Sequence, residues 1–99
     1  MTIYETLKTL GLPVVYGRHT QKVKTPYLLL TGAGQDAFEA DNTYYVRKDR
    51  WTIEYYFTEK NPDLEARIED LLLNIGRRYE KSEDIYLDDQ EVFWLYYDV

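Results

Sequence analysis

His19 is the single histidine of a 99-residue chain that has no cysteine. Nucleophilic or acid–base chemistry at this ring would need a partner to attack and a carboxylate to orient it. No serine, cysteine or carboxylate stands at a spacing that can be linked to His19, which sits in the polar run Arg18 to Thr25. The carboxylate pairs Glu83-Asp84 and Asp88-Asp89 fall at turn positions, where water keeps both members ionised, whereas acid–base work needs one of them buried. Gly32-Ala33-Gly34, with Ala37 as a tolerated third position, follows an apolar run as a dinucleotide fingerprint would. No amphipathic helix pattern comes after it, so an ordinary turn is expected. Without cysteine, neither a disulfide framework nor a thiolate metal site can form. The residues therefore predict a non-enzyme that needs no cofactor or metal and acts by binding and assembly.

The elements that would carry such binding are read from spacing. Thr2 and Glu5 match a capping box, Ile3, Leu7 and Leu10 recur at helical spacing, and Gly11 supplies a stop, which predicts a short helix over 3–10. Val14 to Tyr16 reads as a short strand ended by Gly17, and Arg18 to Thr25 as a loop. Strands are predicted at Tyr27–Thr31 and Phe38–Val46, separated by the turn formers 32–36. Beyond the polar break Arg47-Lys48-Asp49-Arg50, read as a hairpin turn, Trp51, Ile53, Tyr55 and Phe57 alternate with polar neighbours and Tyr56. Asn61 as N-cap, Pro62 at the first helical position and the stripe Leu64, Ile68, Leu71, Leu72, Ile75 before Gly76 predict the main helix. Ile85–Leu87, the turn Asp88-Asp89-Gln90 and Val92–Tyr97 form a final hairpin. The expected fold is one α+β domain over 1–99. It has a mainly antiparallel sheet of about five or six strands, with the short N-terminal helix and the longer amphipathic helix on one face.

Composition supports folding and narrows the partners. The chain is 44% hydrophobic and 30% charged, ordinary for a globular domain. A net charge of −6 argues against tight sequence-independent binding to nucleic acid. No signal peptide and no run of about 18 apolar residues is read, so neither export nor membrane insertion is expected. Eleven tyrosines need explaining, and they recur as neighbours at 44–45, 55–56 and 96–97. Strand neighbours point to opposite faces, so each pair puts one ring on each side of the sheet. In the last strand Val92, Trp94 and Tyr96 form one apolar row and Phe93, Leu95 and Tyr97 the other. Two short helices cover one face, so the second is expected at a boundary between subunits, and periodicity does not decide which row meets the helices. We take Phe93, Leu95 and Tyr97 as the candidate boundary, with the loop cations Arg18, Lys22 and Lys24 as candidate partner contacts.

Several pieces in order carry a resemblance. They are Ile3-Tyr4-Glu5, Gly11-Leu12-Pro13-Val14-Val15-Tyr16-Gly17, Pro26-Tyr27 before an apolar strand, and Asp41-Asn42 leading into Tyr44-Tyr45. Then come Ile53-Glu54-Tyr55-Tyr56-Phe57, Lys60-Asn61-Pro62-Asp63-Leu64-Glu65, Ser82-Glu83-Asp84-Ile85-Tyr86 and Leu95-Tyr96-Tyr97-Asp98. Over nearly its whole length the chain resembles the small tail-completion proteins of long-tailed bacteriophages and prophages of Gram-positive hosts, also called tail terminators or head–tail joining proteins. The resemblance implies a virion subunit, made in the host cytoplasm, that forms a ring, commonly a hexamer, capping the tail tube and meeting the head connector. DNA would pass through that ring without adhering, and no catalytic residues carry over. Two readings of other classes stay open: a small acidic regulator or inhibitor acting by protein binding, with carboxylates gathered on one face of a stable monomer, and an enzyme with polar groups converging in a pocket around His19 or a carboxylate.

Overall fold

The computed structural model describes the backbone of residues 2–17, 23–40 and 44–99, and the side chains of these apart from 36–40 and 44–47. Helix α1 (Ile3–Lys8) begins as its sequence predicts. The Thr2 hydroxyl accepts from the Glu5 N–H at 3.2 Å, and the Glu5 carboxylate accepts from the Thr2 N–H at 3.1 Å. Gly11, at φ +85°, turns the chain into β1 (Val14–Tyr16), which pairs in parallel with the start of β2 (Tyr27–Ala40).

The turns expected at 32–36 and 47–50 are not turns, and this corrects the strand boundaries. β2 and β3 (Tyr44–Phe57) are continuous strands of 14 residues each, antiparallel from Tyr27↔Tyr56 to Ala40↔Tyr44. The register shifts between Gly32 and Gln35, where Gly34 at φ +99° takes up a β-bulge that a side chain would strain. Arg47 to Arg50 breaks the apolar alternation because this part of the hairpin has left the core, and a strand solvated on both faces has no need of it. The connecting residues 41–43 lie outside the described ones.

Helix α2 (Pro62–Asn74) follows β3, its Leu64 N–H donating to the Asn61 side chain at 3.2 Å. The edge segment then forms β4 (Glu80–Lys81) and β5 (Ile85–Leu87), and β6 (Val92–Asp98) returns into the sheet. The mixed six-stranded sheet runs β1-β2-β3-β6-β4, with β5 also on β6, and all pairings but β1 with β2 are antiparallel. Between β4 and β5 the Ser82 hydroxyl accepts from the Tyr96 N–H at 2.8 Å, and the Ser82 N–H donates to the Tyr96 carbonyl at 2.9 Å. β6 is thus hydrogen-bonded on both sides, between β3 and the short edge strands β4 and β5.

One face of the sheet, carrying Ile53, Tyr55, Phe57, Leu95 and Tyr97, packs against Leu64, Ile68 and Leu72 of α2 and against Ile3, Leu7 and Leu10. Ile68 and Leu72 are fully buried, the mid-stripe positions the helical period selects. Ile75, expected in that stripe, is 43% exposed because the helix has already ended and the chain is turning at Gly76.

A polar network that periodicity does not announce pins α2 to the strands. Glu65 is buried, and Lys60 Nζ straddles its carboxylate at 2.9 Å from Oε1 and 2.8 Å from Oε2. Lys81 Nζ lies 2.8 Å from both Glu65 and Glu69, so one cation screens two carboxylates a helical turn apart that would otherwise repel. Glu69 also accepts from the hydroxyls of Tyr97 at 2.8 Å and Tyr79 at 3.3 Å. Burying Glu65 without these cations would cost several kcal/mol, and removing either lysine would leave a charge under-compensated.

Partial burial pushes the Glu69 carboxyl upward, but the hydrogen bonds from Lys81 and Tyr97 outweigh it and hold the group below its usual range. A carboxyl depressed by folding contributes stability above its unfolded pKa, and that contribution is lost as pH falls through the folded value. The melting temperature of the wild-type protein should therefore exceed that of Glu69→Gln near pH 7, with the gap closing below about pH 4. A gap that stays constant down to acid pH would show that the Glu69 charge does not stabilise the fold.

Candidate assembly surfaces

The predicted boundary residues separate. Leu95 and Tyr97 are fully buried beneath the helices, so the expectation that they meet a neighbour is corrected: their row is the one the helices cover. Burial, and then the Glu69 hydrogen bond and charge, push the Tyr97 phenol far above its usual range. Phe93 lies at the end of the same row, 36% exposed, between Phe57 at 5.6 Å and Tyr86 at 4.8 Å. Lys24 is exposed, and Arg18, His19 and Lys22 lie outside the described residues.

The opposite face has its own small core. Tyr27, Leu29 and Tyr56 are buried, with Val15, Val23, Leu87, Val92 and Trp94 packed around them. Cross-strand register sets the rings in a ladder, because Tyr27 pairs with Tyr56 and Tyr56 with Trp94. Tyr27 and Tyr56 stack at 4.8 Å, Tyr56 and Trp94 at 6.3 Å, and Trp94 and Tyr96 lie 5.4 Å apart. Rings lying along the sheet cover part of it themselves, which explains how a face without a helix keeps Leu29 only 6% exposed. Burial, reinforced by the Glu54 carboxylate, raises the ionisation of both tyrosines above the usual phenol range. Trp94, Tyr96 and Val92 remain half-buried, and the buried Trp94 Nε1 has no acceptor among the described residues.

The largest feature has only a weak signal in the sequence. β1 pairs with β2 only at Leu28–Leu30 and β6 with β3 only at Thr52–Phe57. Among the described residues, the stretch 33–50 is therefore a two-stranded ribbon with no third strand. At about 3.4 Å per residue it projects roughly 25 Å, in line with a long axis of 51 Å against 26 and 24 Å. Both its outer edges present backbone N–H and C=O groups that β-strand addition can use. The interrupted alternation at Gly32–Gly34 and Arg47–Arg50 is the trace it leaves in the sequence.

An open cleft of about 370 Å³ at the ribbon root is lined by Lys48, Arg50, Arg78, Tyr79, Glu80 and Asp98 with Val99. Nearby, the Arg77 guanidinium donates to the Asp49 carbonyl at 2.6 Å. A second recess of about 250 Å³ lies over Tyr55, Phe57, Lys60 and Asn61. Among the described residues no three His, Cys, Asp or Glu side chains gather as metal ligands, and no helix is long and apolar enough to cross a membrane. No protein family and no curated protein matches the chain.

The two rows of β6 should respond oppositely to charge. Tyr97→Lys puts an ammonium into a sealed core at a cost of several kcal/mol, comparable with a small domain's whole stability, and should abolish the native circular dichroism. Tyr96→Lys, on the half-buried row, should keep it at a cost of about 1 kcal/mol. Equal loss from both would contradict the assignment of faces.

Proposed function

We propose that the chain is a non-enzymatic assembly subunit that forms a ring at the head-proximal end of a long phage tail, completing the tail and joining it to the head. The observation that carries this reading is the ribbon. A projecting hairpin with two open backbone edges meets a different surface on the next copy, and such heterologous contacts close into rings when the rotation allows. The half-buried aromatic row Val92, Trp94 and Tyr96 supplies side chains of the kind enriched where proteins meet. The ordered resemblance to tail-completion proteins supports the same reading and points to the tail tube and the head connector as its neighbours. A net charge of −6 suits a ring through which DNA slides without adhering.

Replacing residues 33–50 by Asn-Gly joins the register pair Gly32 and Trp51 through a two-residue turn and removes the ribbon together with its root, where Lys48 and Arg50 line the cleft and the Asp49 carbonyl accepts from Arg77. No described side chain in that stretch belongs to the core, so the shortened chain should fold, with a melting temperature within about 5 °C of the original. Light scattering should then give single chains where the intact protein assembles, alone or on added tail tubes. Unimpaired assembly without the ribbon would remove the basis of the proposal.

A further inference from the structure

The outer edge of β6 is covered by a segment that adds almost nothing to the core. β4, Ser82 and β5 lie along it, so residues 80–87 form a strap on the side of β6 that faces away from β3. Among the described residues 76–91 none is buried, and in the two paired pieces only Ile85 and Leu87 are half-buried. Leu87 reaches the cluster of Tyr27, Leu29 and Tyr56. In the turn back to β6 the Gln90 N–H donates to the Leu87 carbonyl at 3.2 Å, and Glu91 sits at φ +55°, a left-handed conformation that disfavours a side chain.

Charge takes the place of apolar packing. Lys81 Nζ lies 2.8 Å from Glu65 and 2.8 Å from Glu69 of α2, and 5.8 Å from the centre of the Tyr97 ring. Asp84, beyond the Ser82 bonds, is held at 3.0 Å by Lys60, just ahead of α2. The strap is thus clasped to the helix at two points while its backbone pairs with β6. It covers a strand that is apolar on both faces, whose bare edge would be a template for pairing with another chain.

We propose that residues 80–87 form a charge-clasped strap that opens as a unit while the rest of the fold stays closed, and that Lys81 and Asp84 set how often it opens. Local opening belongs to segments that lose few apolar contacts when they leave. Both cores survive it, because Leu95 and Tyr97 stay beneath α2 and Tyr56 stays stacked on Tyr27. Opening turns β6 from an inner strand into an edge, and closing hides that edge again. The device goes beyond the assembly reading and does not rest on it.

β6 carries its own control. The Tyr96 N–H donates to the Ser82 hydroxyl at 2.8 Å, whereas the Val99 N–H donates to the Trp51 carbonyl of β3 at 2.9 Å. N–H groups alternate in direction along a strand, so those of Trp94 and Tyr96 face the strap and those of Leu95 and Tyr97 face β3. Backbone hydrogen exchange on the full chain, at a dilution where it is single, therefore reads both sides of one strand.

With each rate taken relative to the unfolded chain, all four amides should be slowed, and Trp94 and Tyr96 should exchange at least about tenfold faster than Leu95 and Tyr97. Urea below the unfolding transition should speed Leu95 and Tyr97 and leave Trp94 and Tyr96 nearly unchanged, since opening the strap exposes little surface. Lys81→Gln should speed Trp94 and Tyr96 at least about tenfold, because it frees the strap from a buried carboxylate. Asp84→Asn, at an exposed site that leaves Lys60 its Glu65 partner, should speed them about twofold to fivefold, and it keeps the test available if Lys81→Gln does not fold. Trp94 and Tyr96 as slow and as urea-sensitive as Leu95 and Tyr97 would show that the strap opens only with the whole fold. Rates at Trp94 and Tyr96 that neither variant changes would show that charge does not hold it. Either result overturns the proposal.

Discussion

The structure depends on one strand that is apolar on both faces. β6 carries Phe93, Leu95 and Tyr97 on one side and Val92, Trp94 and Tyr96 on the other, and it is hydrogen-bonded along both edges. Such a strand belongs inside the sheet rather than at its edge, and both of its faces need cover. The two helices cover the first face, where Leu95 and Tyr97 are sealed. The second has no helix, and the rings of Tyr27, Tyr56, Trp94 and Tyr96 lie across it as its partial cover. The many tyrosines follow from this arrangement, since a phenol can lie flat on apolar neighbours and keep its hydroxyl near water or a carboxylate.

The helical side is held by more than apolar packing. Glu65 and Glu69 project from α2 toward the strands, and Lys60, Lys81, Tyr79 and Tyr97 converge on them. Burial, and then the Glu65 charge, push the Tyr55 phenol up to about 12. A network of this kind fixes the azimuth of the helix, because rotation by one residue would strand a buried carboxylate away from its cations. The helix cannot slide to cover the aromatic face, and the asymmetry between the two faces is built in.

Much of this was legible in the sequence. Caps and breakers located both helices, because Thr2, Glu5, Asn61, Pro62 and Gly76 act through local backbone geometry. The alternation from Trp51 to Phe57 placed the core strand for the same reason. The ribbon was not legible as one element: once a strand leaves the core its alternation lapses, and Gly32–Gly34 and Arg47–Arg50 then resemble turns. The choice of row on β6 was equally hidden, since both rows are apolar and only the landing of α2 separates them. Glu65 lies in the first turn of α2, where an acid needs no further explanation, and its burial depends on Lys60 and on Lys81, sixteen residues along the chain.

The body is sealed on one side, half-covered on the other and extended by an open-edged ribbon, and we propose that copies complete one another through that ribbon. Backbone hydrogen exchange, followed by residue on single chains and on assembled protein, tests that claim directly. The outward amides of 33–40 and 44–50 should exchange quickly in single chains and slow by at least about tenfold on assembly, while those of 52–57 and 92–98 should be protected throughout. Assembled particles whose ribbon amides exchange as fast as those of single chains would contradict it.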